Sequence, residues 1–175
     1  MQDILETLDR YQRTYGISAR GHYRNAELKN RRHFWLGVPA IVISAIVGAS
    51  IFGTIEQQNV HPYWYIAAGM LSVTASVLAS LQTFFSFSEM AEKHLIAARR
   101  YASIRRKTRL LKLVYAERNP DQRDNALKDL EDLIEELKVI AEESPAIPDK
   151  VYDAVLVEFA NDNPELAGVG SRPSK

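Results

Sequence analysis

The sequence predicts an all-α membrane protein, in which two transmembrane helices form a hairpin and further helices form cytoplasmic arms. Residues 34–55 and 62–88 are stretches of 22 and 27 residues without Asp, Glu, Lys, Arg or His. As helices they would extend ~33 and ~40 Å, enough to cross a hydrocarbon core of ~30 Å. Residues 56–61, which join them, are too few for anything but an antiparallel hairpin. A buried helix of a soluble core is the alternative, which two adjacent stretches of this length disfavour.

The other elements follow from periodicity and from helix-breaking residues. Apolar residues spaced near 3.6 predict an N-terminal helix, with Gly16 and Gly21 as candidate breaks. No Gly or Pro occurs between Met70 and Asn119, so the second span should continue without a break into a long cytoplasmic helix. Asn119 and Pro120 should end that helix. The predicted helices are 3–33, 34–55, 62–88, 89–118, 121–143 and 149–160, in one domain over 1–160, with a disordered tail over 161–175.

Basic residues near the ends of the spans predict the orientation. Five precede the first span and six follow the second, whereas the loop at 56–61 has no Lys or Arg. Because short loops rich in Lys and Arg stay in the cytoplasm, both termini should be cytoplasmic. Trp35 on one side and Tyr63–Tyr65 on the other fit interfacial aromatic belts. The basic residues are Arg20, Arg24, Lys29, Arg31 and Arg32 before the first span, and Lys93, Arg99, Arg100, Arg105, Arg106 and Lys107 after the second.

Composition argues against several classes of function. The 22 basic and 22 acidic residues balance, whereas a dedicated nucleic-acid-binding protein would carry a basic excess. The chain has no cysteine, which excludes a disulfide, a thiol nucleophile and a cysteine metal site. The four histidines lack the spacing of metal ligands, and no nucleophile-elbow or kinase motif is present. We therefore expect no catalytic residue, no metal and no cofactor, with the lipid bilayer as the first partner.

Five hydroxyl side chains share about a third of the circumference of the second span. In one reading, several subunits bring these hydroxyls around a water-filled path, where they replace lost hydration. In the other reading they only pack helices, because small residues allow close approach and interhelical hydrogen bonds. Both readings keep this face away from lipid. The five residues are Ser72, Ser76, Ser80, Thr83 and Ser86.

Two further rows predict helix packing. Ala45, Ala49 and Gly53 form a row of small residues on the first span, suited to close packing within the hairpin or between subunits. On the helix predicted over 121–143, an apolar stripe should assemble a homo-oligomer. That stripe consists of Leu127, Leu130, Ile134 and Leu137. Two helices cannot enclose a water path, so a pore needs several subunits. Because the hairpin has no ionisable residue at mid-membrane depth, such a pore would be passive.

The basic run Arg99–Arg109 has three readings. It could hold anionic lipid headgroups, each basic residue near the surface contributing about 1 kcal/mol. It could pair with the acidic helix that contains Glu131, Asp132, Glu135 and Glu136. It could also be a solvated face that obeys the orientation rule.

Several short sequence words accompany this layout. They are His22-Tyr-Arg-Asn-Ala26 at the end of the N-terminal helix, His94-Leu-Ile-Ala-Ala-Arg-Arg-Tyr101 after the second span, and Pro145-Ala-Ile-Pro148 followed by Val151-Tyr152. Together with the very short outer loop, they resemble the SLATT family of bacterial two-span membrane proteins over about residues 5–160.

The resemblance implies a pore-forming effector of a bacterial conflict system, which permeabilises the inner membrane and stops the growth of a phage-infected cell. It also implies a partner that senses nucleotides or synthesises a nucleotide signal, such as a SLOG domain, a cyclic-oligonucleotide synthase or a reverse transcriptase. The alternative is a non-conducting membrane anchor that recruits a cytoplasmic partner. Such an anchor would need no water path.

Overall fold

A computed structural model describes residues 2–54, 61–116 and 122–164, with side chains from 2–50, 61–116 and 122–164. Within these ranges every regular element is a helix, which confirms the all-α prediction. The helices are α1 (Gln2–Thr54), α2 (Pro62–Phe85), α3 (Phe87–Val114), α4 (Arg123–Glu143) and α5 (Asp149–Asp162).

The chain divides into two compact units. Met1–Ala26 together with Glu92–Lys175 is called here the arm unit, and Glu27–Ala91 the hairpin unit. The helix predicted over 89–118 ends earlier, because α3 ends at Val114 and a turn follows, in which the Ala116 N–H donates to the Leu113 carbonyl at 3.4 Å. Most of the loop at 56–61, Asn119 and Pro120, and the tail from residue 165 onward lie outside the described residues. The first four residues assigned to the tail are described, and α5 extends through two of them to Asp162.

The hairpin unit pairs α1 and α2 in antiparallel fashion. The amide nitrogen Nε2 of Gln82 lies 3.1 Å from Nδ1 of His33. The ammonium of Lys29 lies 5.9 Å from the centre of the ring of Phe87, the first residue of α3. The earlier residue of α1 therefore meets the later residue of the returning chain, as an antiparallel pair requires. At Gly37 a Cβ would come within 2.9 Å of the Gln82 amide, so glycine permits this approach.

Both hairpin helices are long and apolar enough to cross a membrane. Their apolar windows are only 17% and 6% buried inside the protein, whereas a core helix of a soluble protein would be mostly buried. Large side chains such as Trp35, Ile41 and Phe84 are exposed. An outward-facing apolar surface of this length is what a bilayer accepts, in agreement with the predicted hairpin of two helices that can span a membrane.

The helix of the second span is interrupted at Ser86, which corrects the prediction of an unbroken continuation. Ser86 lies between α2 and α3 with φ 42° and ψ 41°, the left-handed conformation. Its backbone N–H and its hydroxyl both donate to the carbonyl of Thr83, at 3.3 and 3.2 Å. The helix then resumes, because the Met90 N–H donates to the Ser86 carbonyl at 3.0 Å. No Gly or Pro occurs at this position, so no residue pattern indicates the break.

The candidate breaks at Gly16 and Gly21 do not occur, because α1 is continuous through both and through Pro39. A Cβ at Gly16 would come within 2.5 Å of the Phe159 ring. A Cβ at Gly21 would come within 2.9 Å of Ile147. These glycines therefore allow α5 and the turn after α4 to pack directly on the backbone of α1.

The arm unit has a conventional apolar core between α1, α3, α4 and α5. Leu8, Ile104 and Phe159 are almost completely buried, and each buried side chain of this size contributes about 1.5–3 kcal/mol. At the surface, Lys107 pairs with Glu136 and Arg100 with Glu143, so part of the basic run does pair with the acidic helix. Exposed pairs of this kind contribute about 0–1 kcal/mol each, so the apolar core determines the packing.

Candidate functional site

The predicted hydroxyl face of α2 is exposed within the chain. Ala75 is buried and Gln82 half-buried, so these residues mark the side of α2 that meets α1. Ser72, Ser76 and Ser80 instead line an open groove on the outer side of α2. The other walls of this groove are apolar and consist of Val73, Val77, Leu81 and Phe84.

The five hydroxyls fall into two groups. The Thr83 hydroxyl donates to the Ala79 carbonyl at 3.1 Å, and the Ser86 hydroxyl donates to Thr83, so both bind their own helix. Ser72, Ser76 and Ser80 form no hydrogen bond to any residue that the structure describes. These three therefore keep their hydroxyl groups available for water or for another subunit.

Ala45 and Ala49 of the predicted small-residue row lie away from the contact between α1 and α2, which leaves packing between subunits as the reading of this row. Ala45 and Ala49 are exposed, and the surroundings of Gly53 lie outside the described side chains. Ala40 and Val47 are buried instead. Ala40 lies three residues after Gly37, where α1 approaches Gln82 of α2, so both positions are on the side of α1 that meets α2. Packing of Ala45 and Ala49 between subunits stays a prediction.

The predicted assembly stripe of α4 is divided between the core and the surface. Leu137 is buried with Tyr101 and Ile104, and Leu130 packs against a second cluster of the same chain. Leu127 and Ile134 remain 39% and 43% exposed. Only these two are left for a contact between subunits, because α1 and α3 already cover the others.

A buried histidine pair is the functional feature that sequence reasoning missed. His22 of α1 and His94 of α3 face each other with 2.9 Å between their Nδ1 atoms. The amide Nδ2 of Asn25 lies 2.8 Å from Nε2 of His94. The ring of Tyr101 stacks on His22, with 5.4 Å between centroids and 11° between planes. Both histidines occur in the sequence words quoted above, but a search for metal spacing does not detect a pair that is joined only by the fold.

Burial keeps His22 uncharged. Desolvation, reinforced by the neighbouring His94, lowers the pKa of His22 from 6.5 to about 4. Burial also raises the pKa of Tyr101, which opposes ionisation of the stacked phenol. At neutral pH His22 is therefore an uncharged ring with one donor and one acceptor nitrogen. Among the described residues no cluster of three or more His, Asp and Glu could hold a metal ion.

Comparison with known proteins places these features in a family. The sequence model of the SMODS and SLOG-associating 2TM effector domain family 4 matches residues 5–160. The chain belongs to this SLATT family. No curated protein and no solved structure gives a match.

The SLATT match covers both units of the chain. It includes the two spans, the hydroxyl face and the histidine pair, so none of these is an appendage to the family domain. The family is described as a two-transmembrane effector domain, which agrees with the two helices that can cross a membrane. The protein is thus a SLATT membrane protein of the effector type.

Proposed function

We propose that this SLATT protein is an effector of a bacterial anti-phage system, which forms a homo-oligomeric pore in the inner membrane and acts without catalysis. The observation that carries the proposal is the outer face of α2. Three hydroxyls with no partner among the described residues stand there in a row, on a helix that otherwise presents apolar side chains. Membership of a two-transmembrane effector family supports the same function.

A hydroxyl row suits a water path in a way that an apolar face does not. Each hydroxyl can replace part of the hydration of a permeating solute. Two helices cannot enclose such a path, so Ser72, Ser76 and Ser80 of several subunits must converge on one axis. The exposed Ala45 and Ala49 then suit the contact between neighbouring hairpins. Neither span holds a charged residue, so the pore would be passive.

The arm unit offers two surfaces of opposite charge for assembly. One face of α3 is basic and apolar and consists of Arg106, Arg109, Leu110 and Leu113. Its two arginines form no ion pair to the described residues. One face of α4 is acidic and apolar: Leu127, Glu131, Ile134 and Glu135. Contact between the first face of one subunit and the second face of the next would pair charges and remove apolar surface from water.

The orientation and the partner belong to the same proposal. The basic residues at both flanks support cytoplasmic termini in the inner membrane. The arms would then meet a cytoplasmic protein that senses or synthesises a nucleotide signal, which is what the family description's association with SMODS and SLOG suggests. The pore would open in response to that signal.

Flux and growth measurements test the pore. On expression, the wild-type protein should depolarise cells and stop growth, and in vesicles it should release a small entrapped dye. Ser76→Leu and Ser80→Leu should each reduce both effects at least about tenfold while the mass in detergent stays constant, because bulk in a lined path blocks it. The matched control is Thr74→Leu, whose hydroxyl already donates to the Met70 carbonyl at 2.9 Å.

Three other outcomes would contradict the lined pore. A smaller oligomer with lost toxicity in the serine variants would mean that the face only packs helices. Unchanged toxicity and unchanged mass would exclude both roles for this face. A stable wild-type oligomer with neither flux nor toxicity would favour the non-conducting anchor, which acts by recruiting a cytoplasmic partner.

A further inference from the structure

The arm unit contains a cavity beside the histidine pair. Its volume is about 440 Å³, within the usual range of small-molecule sites. Its lining includes Ser18 and His22 of α1, Tyr101 of α3 and residues 144–147. Ile147 also packs against α1 at Gly21, which holds the segment 144–147 beside α1.

The hydrogen-bond network fixes which nitrogen of His22 carries the proton. The Asn25 Nδ2 group only donates, so Nε2 of His94 accepts, at 2.8 Å. A neutral His94 then carries its proton on Nδ1 and donates it to Nδ1 of His22, 2.9 Å away. His22 is neutral as well, so its own proton lies on Nε2.

This Nε2–H group opens onto the cavity. His22 is only 2% exposed, and none of its contacts joins Nε2 to a hydrogen-bond partner among the described residues. Across the described residues, no fully inaccessible side-chain nitrogen or oxygen lacks a hydrogen-bond partner. Nε2 must therefore be accessible, and the cavity that His22 lines is where it can be reached. A buried donor without a partner is a strong determinant of what can bind.

We propose that this cavity is a binding site for a small uncharged ligand, which presents a carbonyl oxygen or ring nitrogen to His22 Nε2–H and an apolar body to the walls. The lining also contains Pro145, Ala146 and Ile147, which suit an apolar body. Among the described residues no Lys or Arg lines the cavity, so an anionic ligand would lack a counter-ion there. The site is independent of the proposed pore, because no residue of the hairpin unit takes part in it.

Histidine NMR tests the proton placement first. The full-length protein in lipid nanodiscs, labelled with ¹⁵N at histidine, should show His22 with its proton on Nε2 and His94 with its proton on Nδ1 at pH 7. The opposite pair of tautomers would overturn the proposal, because the cavity would then present an acceptor instead of a donor.

Three planar probes of nearly equal shape then test the ligand class. Benzamide is uncharged and carries a carbonyl acceptor, benzoate is an anion, and benzamidinium is a cation without an acceptor. Benzamide should shift the His22 Nε2 resonance in a saturable way, with a dissociation constant on the order of 1 mM for so small a molecule. Benzoate or benzamidinium binding as tightly would contradict the class of ligand. A linear response to benzamide would mean that water alone occupies the cavity.

Two variants separate a binding site from a structural role. His22→Phe keeps a ring on Tyr101 but removes the donor, and should weaken benzamide binding at least about fivefold. Ala141→Phe fills the cavity without touching the histidine pair, and should abolish binding while the tautomers stay unchanged. The matched control is Ala154→Phe, an exposed position of α5 that does not line the cavity. Unchanged binding in Ala141→Phe would overturn the site even if His22→Phe does not fold.

Discussion

The hairpin unit and the arm unit use apolar residues in opposite ways. In the hairpin unit, Trp35, Ile41 and Phe84 are exposed, and the buried positions are small residues such as Ala40 and Ala75. In the arm unit, large apolar side chains such as Leu8 and Ile104 are buried, and most charged side chains face outward, although Arg13 is buried. The difference shows which solvent each unit is built for. Lipid accepts apolar surface, so the hairpin needs only close helix contact, whereas the arms must remove apolar surface from water.

The largest contrast should come from truncating phenylalanine in each unit. Phe159 is 1% exposed, and its ring lies between the backbone at Gly16 and the guanidinium groups of Arg20 and Arg105. Phe159→Ala should destabilise the arm unit by about 3–5 kcal/mol, the usual effect of removing a buried aromatic ring. Phe84→Ala should leave the arm unit unchanged. Hydrogen exchange of the amides of α5 and α1 measures both, and equal protection in the two variants would refute the contrast.

A charge at an exposed apolar position should distinguish the two solvents. Ile41 and Leu110 are 70% and 62% exposed, so neither has much packing to lose. Ile41→Arg should oppose membrane insertion by about 2.5–3.5 kcal/mol, because it places a cation in hydrocarbon. Leu110→Arg should change stability by no more than about 0.5 kcal/mol, as at any water-exposed site. The fraction of protein in the membrane pellet measures the first effect, and full insertion of Ile41→Arg would mean that this face does not meet lipid.

Acid should destabilise the arm unit through its histidine pair. The pKa of His22 is lowered from 6.5 to about 4, so the unfolded chain binds a proton more readily between these values. The stability that neutral His22 provides is complete above pH 6.5 and is lost as the pH falls towards 4, by about 2 kcal/mol at pH 5. Asn25 and Tyr101 contact the pair, and neither of these two side chains titrates in this window.

Chemical unfolding of the arm unit at pH 7 and pH 5 measures the loss. In His22→Phe this part of the pH dependence should disappear, whatever the absolute stability of the variant. A wild-type midpoint that does not change between the two pH values would show that His22 is not held neutral. The two spans serve as an internal comparison, because residues 34–55 and 62–88 contain no Asp, Glu or His, the side chains that titrate in this pH range.

The sequence predicted the hairpin unit more fully than the arms. An uncharged stretch of bilayer length needs only local composition to be recognised, so both spans could be placed without knowledge of any contact. The packing of Leu130 and Leu137 inside their own chain could not be predicted in this way, because an apolar stripe that is suited to a second subunit is equally suited to α1 of the same chain. The His22–His94 contact joins positions 72 residues apart, and no local pattern indicates it.

Small residues were the least predictable feature. Gly16 and Gly21 have the composition of helix breaks, but the side chains of Phe159 and Ile147 packed against them keep α1 continuous. Ala45 and Ala49 form as regular a row as the residues that do meet α2, and spacing alone cannot choose between two rows on one helix. Tertiary contacts decide both cases, and these contacts are made by residues that lie far away in the sequence.

The smallest effect should come from the helix break at Ser86, where two substitutions separate backbone from side chain. Ser86→Ala and Ser86→Gly both lose the hydroxyl bond to Thr83, but only alanine retains the strain of a positive φ. If the break persists, the glycine variant should be more stable by about 0.5–1 kcal/mol, since the left-handed conformation costs L-residues about 1–2 kcal/mol and glycine loses part of this gain to chain entropy. Thermal unfolding in detergent measures the difference. An alanine variant at least as stable as the glycine variant would show that α2 and α3 can join into one helix, and that the serine hydroxyl alone maintains the break.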